Sequence, residues 1–211
     1  MIKRLKSFGN SYLCTMKLIF ATANKHKAEE VRKLLGDTFT LLIPADLGYT
    51  EDIPETGNTL EHNALEKARF IWEKFGLPCF SDDTGLEVEA LNGAPGAFSA
   101  RYAGDARDSK DNMRLILKNM EGETCRTARF RCVIALIIDG KEISFEGKVD
   151  GRILTAPQGE QGFGYDPVFC PGGYACSFAE LSLEEKNSIS HRGQAVRKLV
   201  DFLRQYEQRH Q

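Results

Sequence analysis

Apolar positions recur along this chain at two spacings, and the alternation between them lays out an α/β protein. A buried strand is predicted over residues 17–22 (KLIFAT), where apolar residues run almost without a break. A helix is predicted to follow as far as Leu35. Val31, Leu34 and Leu35 give it an apolar side, Asn24 is its N-cap and Gly36 its stop. Residues 40–43 form a second short strand. From Leu60 to Phe75, the residues Leu60, Ala64, Ala68, Ile71 and Phe75 recur at helical spacing, and Gly76 and Pro78 end the helix. Leu86, Val88 and Ala90 alternate with polar residues, so 85–91 reads as a strand, and Asn92-Gly93 as a turn.

Asp108 caps a helix over 109–120, with Gly122 as its stop. Two long strands, 128–138 and 142–149, meet at Asp139-Gly140, the strongest hairpin signal in the chain; the hairpin reads as scaffold without chemistry. Ser182 and Glu185 have capping-box spacing and open a short helix. Residues 188–193 are expected to break it before a last amphipathic helix over 194–208. Residues 1–15 are basic and polar, and Met16 stands directly before the first clean strand. That pattern predicts a disordered N-terminal extension followed by one domain over 16–211.

Polar residues gather at the joints of this framework. At Asn24-Lys25-His26-Lys27, a strand turns into a helix. The free N–H groups and positive dipole end of a helix start make an anion site, to which Lys25 and Lys27 add full charges. Asn63 and Lys67 are four apart and share one helix face. Asp82 and Asp83 end a short apolar run before Thr84-Gly85, which reads as a strand running into a tight turn. Neighbours on an extended chain point to opposite faces, so one acid faces any given cleft and the other holds the turn. Taken alone, such a pair is a surface turn. Glycines around Phe163 and Tyr165 read equally as an inward-folded turn or as a shelf on which a flat ligand stacks. Ser190-His191-Arg192 sits at the start of the last helix.

Composition narrows the classes. The sequence of 211 residues is 42% hydrophobic and 27% charged, ordinary for a globular domain. A formal charge of -2 argues against a sequence-independent nucleic-acid binder. Any anionic ligand must then meet a local cluster of cations. None of the six cysteines forms a Cys-x-x-Cys pair, so structural zinc is not expected, and a reduced, cytoplasmic protein is. No apolar run reaches membrane-spanning length.

The motifs in order resemble the inosine triphosphate pyrophosphatase family. They are TANKHK at 22–27, ETGNTLEHNALEKA at 55–68, SDDTGL at 81–86, APGAFSARYAG at 94–104, GFGYDPVF at 162–169 and EEKNSISHRGQA at 184–195. The first departs slightly: Ala23 stands where the family more often has glycine. The resemblance implies an elongated, two-lobed α/β fold with a central mixed sheet and a cleft between lobes. It implies magnesium-dependent hydrolysis of purine nucleoside triphosphates with deaminated bases to monophosphate and pyrophosphate, by a homodimer. Asp83 would be the catalytic base and, with Glu55, would hold the metal. Thr22, Asn24, Lys25, Lys27, Lys67 and Lys186 would surround the phosphates, and Ala23, His26 and Thr84 would also bind the substrate. Phe163 or Tyr165, with Gly164 and Asp166 beside them, would stack on the base, and His191 and Arg192 would read its edge. Removal of the γ-phosphate alone, or nucleotide binding without turnover, are the competing readings.

Overall fold

The computed structural model describes residues 16–210; the expectation for residues 1–15 lies outside them. Twelve regular elements follow in chain order. They are β1 (Lys17–Phe20), α1 (Lys25–Leu35), β2 (Thr40–Leu42), α2 (Leu60–Phe75), β3 (Cys79–Val88) and β4 (Pro95–Gly96). After them come α3 (Ser109–Asn119), β5 (Thr127–Ile138), β6 (Lys141–Ile153), β7 (Phe169–Pro171), α4 (Leu183–Ile189) and α5 (His191–His210). The strands form one seven-stranded mixed sheet in the order β2-β1-β3-β5-β6-β7, with β4 paired to β3. β1 runs parallel to β2 and β3, and the remaining pairs are antiparallel.

Local signals set most of these elements. Asn24 Oδ1 accepts the Lys27 N–H, Asp108 the Asp111 N–H and Ser182 Oγ the Glu185 N–H, each capping its helix. Gly76 ends α2 in the left-handed conformation. Asp139 and Gly140 both take positive φ, as a two-residue hairpin turn requires.

The central strands are buried on both faces, and their period of two separates two cores. Phe20, Phe80, Ile134 and Leu136 pack against Val31 of α1 and Leu199 of α5. Ile19, Cys79, Val133 and Ile137 pack against Ala64, Ala68 and Ile71 of α2. Farther along the same strands a third core gathers Leu86, Val88, Phe130, Phe169 and Phe178 with Ile116 of α3. The sheet thus joins two lobes, one built on α1, α2 and α5 and the other around α3 and β7.

Four readings of the sequence change. Asp82 and Asp83 do not sit at a strand end. β3 runs unbroken through them, because all ten of its residues pair with β5. Gly85 is extended strand rather than turn. A Cβ there would lie 2.6 Å from the Gly96 carbonyl, so its small size admits β4. The strand expected over 85–91 ends at Val88 and passes into a 3₁₀ turn over Glu89–Leu91. The expected break over 188–193 shrinks to Ser190, whose Oγ accepts the Gly193 N–H and caps α5 three residues earlier than the spacing suggested.

Candidate active site

One cavity of about 380 Å³ is lined from both lobes. The β1–α1 turn brings Thr22, Ala23, Asn24 and Lys27 to it. Lys25 and His26 are exposed and outside its lining, although the His26 ring stacks 5.7 Å from that of Phe163. Thr22 Oγ1 accepts the Asn24 N–H at 3.1 Å, which fixes the turn.

β3 divides its two acids between opposite faces. On the α2 side, Asp83 Oδ1 accepts from Lys67 Nζ at 3.0 Å and Oδ2 from Asn63 Nδ2 at 3.2 Å. The i, i+4 spacing of Asn63 and Lys67 delivers both donors to one carboxylate. Lys67 Nζ also donates to Glu55 Oε1 at 2.5 Å, so one ammonium bridges the two acids. Burial and the Glu55 charge push Asp83 up to about 6, against the pull of Lys67. Burial would raise Glu55 too, but there Lys67 prevails and holds it near the bottom of the carboxylate range. Burial disfavours the charge on Lys67, and Asp83 and Glu55 more than offset it.

On the α1–α5 side, Asp82 accepts from Lys27 Nζ at 2.9 Å, Arg192 Nε at 3.1 Å and the Thr84 hydroxyl at 3.2 Å. Arg192 is 3% exposed, so it is a buried cation and not a free arm. Its fork also donates to Glu30, and to Thr84 Oγ1 at 3.3 Å. Lys186 Nζ donates at 2.8 Å to both Glu30 and Asp166. Asp166 Oδ2 further accepts the Phe163 N–H at 2.8 Å, which pins the glycine-flanked turn. Gly162 is obligatory beneath it: φ is +77°, and any Cβ would collide with that carboxylate.

The two aromatics of this turn differ in fate. Phe163 is half-buried, 4.9 Å from Lys186 Nζ and 5.4 Å from the Arg192 guanidinium. Tyr165 is buried rather than exposed, and its hydroxyl donates to the Ser99 carbonyl at 2.8 Å. His191 is buried, its Nδ1 without a partner among the described residues and its ring stacked 4.6 Å from Phe130. Phe130 lines the cavity, so the hairpin that read as scaffold supplies part of the site. Burial, with the Arg192 and Lys186 charges, pushes His191 well below its usual value and keeps it neutral.

Sequence reasoning missed Glu30 and the role of Asp82. Glu30 lies one turn after Lys27 and beside Val31, on the apolar stripe of α1. An acid in such a stripe signals a buried ion pair.

Magnesium takes oxygen ligands, often one or two carboxylates completed by waters and substrate phosphates. Glu55 and Asp83 fit that pattern: a shared cation already draws them together, and the buried Asn63 Oδ1 beside them has no partner among the described residues. Among the described residues no group of three or more His, Cys, Asp or Glu side chains could hold a metal alone. The pair therefore fits a cation that arrives with phosphate.

Fold and site together define a mixed α/β protein with a charged cleft between two lobes. Comparison with known proteins narrows that class: the profile of the Ham1 family matches residues 18–202, and the chain belongs to this family. It is 51% identical over 189 residues to a protein of Flavobacterium psychrophilum named dITP/XTP pyrophosphatase, covering 90% of this chain and 100% of that one. A protein of the same name from Porphyromonas gingivalis is 52% identical over 188 residues, 89% of this chain and 97% of that one. Among solved structures, a HAM1 protein from Coxiella burnetii superposes with a TM-score of 0.83 at 38% identity, covering 90% of this chain and 99% of that one.

Proposed function

We infer that the protein hydrolyses purine nucleoside triphosphates with deaminated bases, such as inosine, deoxyinosine and xanthosine triphosphates, to the monophosphate and pyrophosphate. One observation carries this reading: the helix-start turn, the Glu55–Lys67–Asp83 group and the Phe163 shelf converge on a single cavity. The names of the relatives agree with it.

In this reading Thr22, Asn24 and Lys27 hold phosphate oxygens. Glu55 and Asp83 hold magnesium, which when bound supplies charge neutralisation along the phosphate chain. Asp83 orients a water for attack on the α-phosphorus. A new P–O bond forms there as the bridge to the β-phosphorus breaks, and pyrophosphate leaves with the bonding pair. Phosphoryl transfer asks mainly for positioning and charge.

The base lies against Phe163, where stacking is worth about 1–3 kcal/mol. A 6-oxo purine presents acceptors at O6 and N7, whereas adenine replaces O6 by an amino donor. Arg192 has donors left beyond those given to Asp82, Glu30 and Thr84, and neutral His191 has an unpaired ring nitrogen; both suit that edge. A matched pair of contacts discriminates by about 1–3 kcal/mol.

The experiment is a panel of triphosphates with purified protein and titrated magnesium, scored for both products. Pyrophosphate from inosine and xanthosine triphosphates, well above adenosine triphosphate, is the expected result. Orthophosphate instead would make it a γ-phosphatase, and no turnover of any nucleotide a binding module. We further read the protein as a cytoplasmic homodimer, in keeping with its cysteines, all free thiols among the described residues. No described helix is long and apolar enough to cross a membrane. Sedimentation at micromolar concentration tests the dimer.

A further inference from the structure

Apart from Arg101 and Arg107, the lysines and arginines that line the cavity are already spent. Lys27, Lys67, Lys186 and Arg192 line the cavity together with Asp82, Asp83, Glu55 and Asp166, and Glu30 stands behind Lys186 and Arg192. Five carboxylates thus meet four cations, and each cation is in an ion pair with at least one acid. A polyanion entering such a wall meets a field that is formally negative.

The loop before α3 is different. Arg101 and Arg107 line the same cavity, and among the described residues neither forms an ion pair. The loop that carries Arg101 is tied down from several sides. Asn112 Oδ1 accepts the Ala103 N–H at 2.7 Å, and Asn112 Nδ2 donates to the Ala100 carbonyl at 3.0 Å. Ser99 Oγ accepts the Leu86 N–H at 2.9 Å and donates to the Gly96 carbonyl at 2.6 Å. The Arg101 guanidinium lies 5.1 Å over the Phe98 ring. Arg107 stands directly before Asp108, the cap of α3, and has positive φ. Arg101 is half-buried and Arg107 exposed, and both line the cavity with no acid among the described residues paired to them, open to an anion from outside the protein.

We propose that Arg101 and Arg107 form the second jaw of a phosphate clamp, taking the oxygens of the substrate's phosphate chain that face away from Lys27 and Lys67. Guanidinium forks suit phosphate oxygens, which they meet with paired, charge-assisted hydrogen bonds. This rests on the triphosphate reading above and assigns the far side of the same ligand.

Inorganic tripolyphosphate, which has the phosphate chain and no base, is the probe. Calorimetry on the full chain with magnesium in excess gives its Kd. Arg107→Ala should weaken tripolyphosphate binding about tenfold, the scale of one charge-assisted contact, and should raise KM for inosine triphosphate in step. Arg107→Lys keeps the charge but not the paired fork, so its affinity should fall between the natural chain and Arg107→Ala, and inosine, which has no phosphate, should bind all three alike. Among the described residues the Arg107 side chain has no partner to lose, so Arg107→Ala is expected to keep its fold, where Arg101→Ala could disturb Phe98. Equal tripolyphosphate affinity in Arg107→Ala and the natural chain overturns the clamp, as does an absence of tripolyphosphate binding to the natural chain. If the variant weakens tripolyphosphate but no purine triphosphate releases pyrophosphate, the clamp stands and the assigned reaction falls.

Discussion

On the α1–α5 face of β3, Asp82 meets Lys27, Arg192 and Thr84; on the α2 face, the next residue, Asp83, meets Lys67, Asn63 and Glu55. Both carboxylates are buried, so burial alone would raise both. It fails for Asp82, where two cations outweigh it and hold the acid ionised well below the usual range. It prevails for Asp83, where one ammonium is shared with a second acid. Adjacent positions on one strand therefore carry different chemistry: one acid is committed to a closed ion network, and the other keeps an unmet demand for positive charge. That demand is what a metal would satisfy.

The largest expected effect comes from breaking the committed side. Asp82→Ala leaves Lys27 without its acid and Arg192 with Glu30 alone, which it shares with Lys186. Leaving a buried charge uncompensated costs about 3–5 kcal/mol, so urea unfolding should show a loss of that size. A loss below about 1 kcal/mol, the level of exposed pairs, would mean that the network is solvated and the contrast between the two faces is unreal.

Asp83→Asn should do the reverse. It relieves the repulsion with Glu55 and leaves Lys67 a partner, so stability should change little. Pyrophosphate release should fall at least about a hundredfold, the scale on which misplacing an attacking group slows a reaction. Retained turnover would remove Asp83 from the reaction, and a stability loss equal to that of Asp82→Ala would remove the distinction between the faces.

This contrast was only half legible in the sequence. Period-two alternation already said that the two acids point apart, and the capping residues and the Asp139-Gly140 turn were read from local chemistry alone. Asp-Asp-Thr-Gly misled because each of these residues favours turns when solvated. Here the chain is held straight by ten residues of pairing with β5, and Asp82 is neutralised by Lys27, 55 residues away, and Arg192, 110 residues away. No window along the chain sees such partners. Glu30 could have been found, since an acid stood in an apolar stripe. Arg101 and Arg107 could not: nothing local distinguishes a solvated arginine from one aimed across a cleft. Most of the site was legible only through six motifs in order, which fixed residue types without fixing what each touches.

The smallest expected effect concerns His191, which adjoins Arg192 and so reads the charge on the Asp82 side of β3. Its ring is buried against Phe130, and a proton on it would add a cation beside Arg192 and Lys186, with Asp82 the acid that opposes the shift. Its pKa in the folded protein lies well below 6.5, whereas the unfolded chain regains the ordinary value. Below pH 6.5 the unfolded state therefore binds a proton that the folded state refuses. Stability is fully present above that pH and falls as the pH drops toward the folded pKa. For one group the loss is roughly 1–2 kcal/mol between pH 6.5 and 5. Other groups titrate as well, so the measurement is the difference in unfolding free energy between the natural chain and His191→Gln, which cannot take up this proton. That difference should drift against the natural chain as the pH falls through this window. A flat difference would mean that His191 titrates alike in both states, and that the field around Arg192 is weaker than the buried ion network requires.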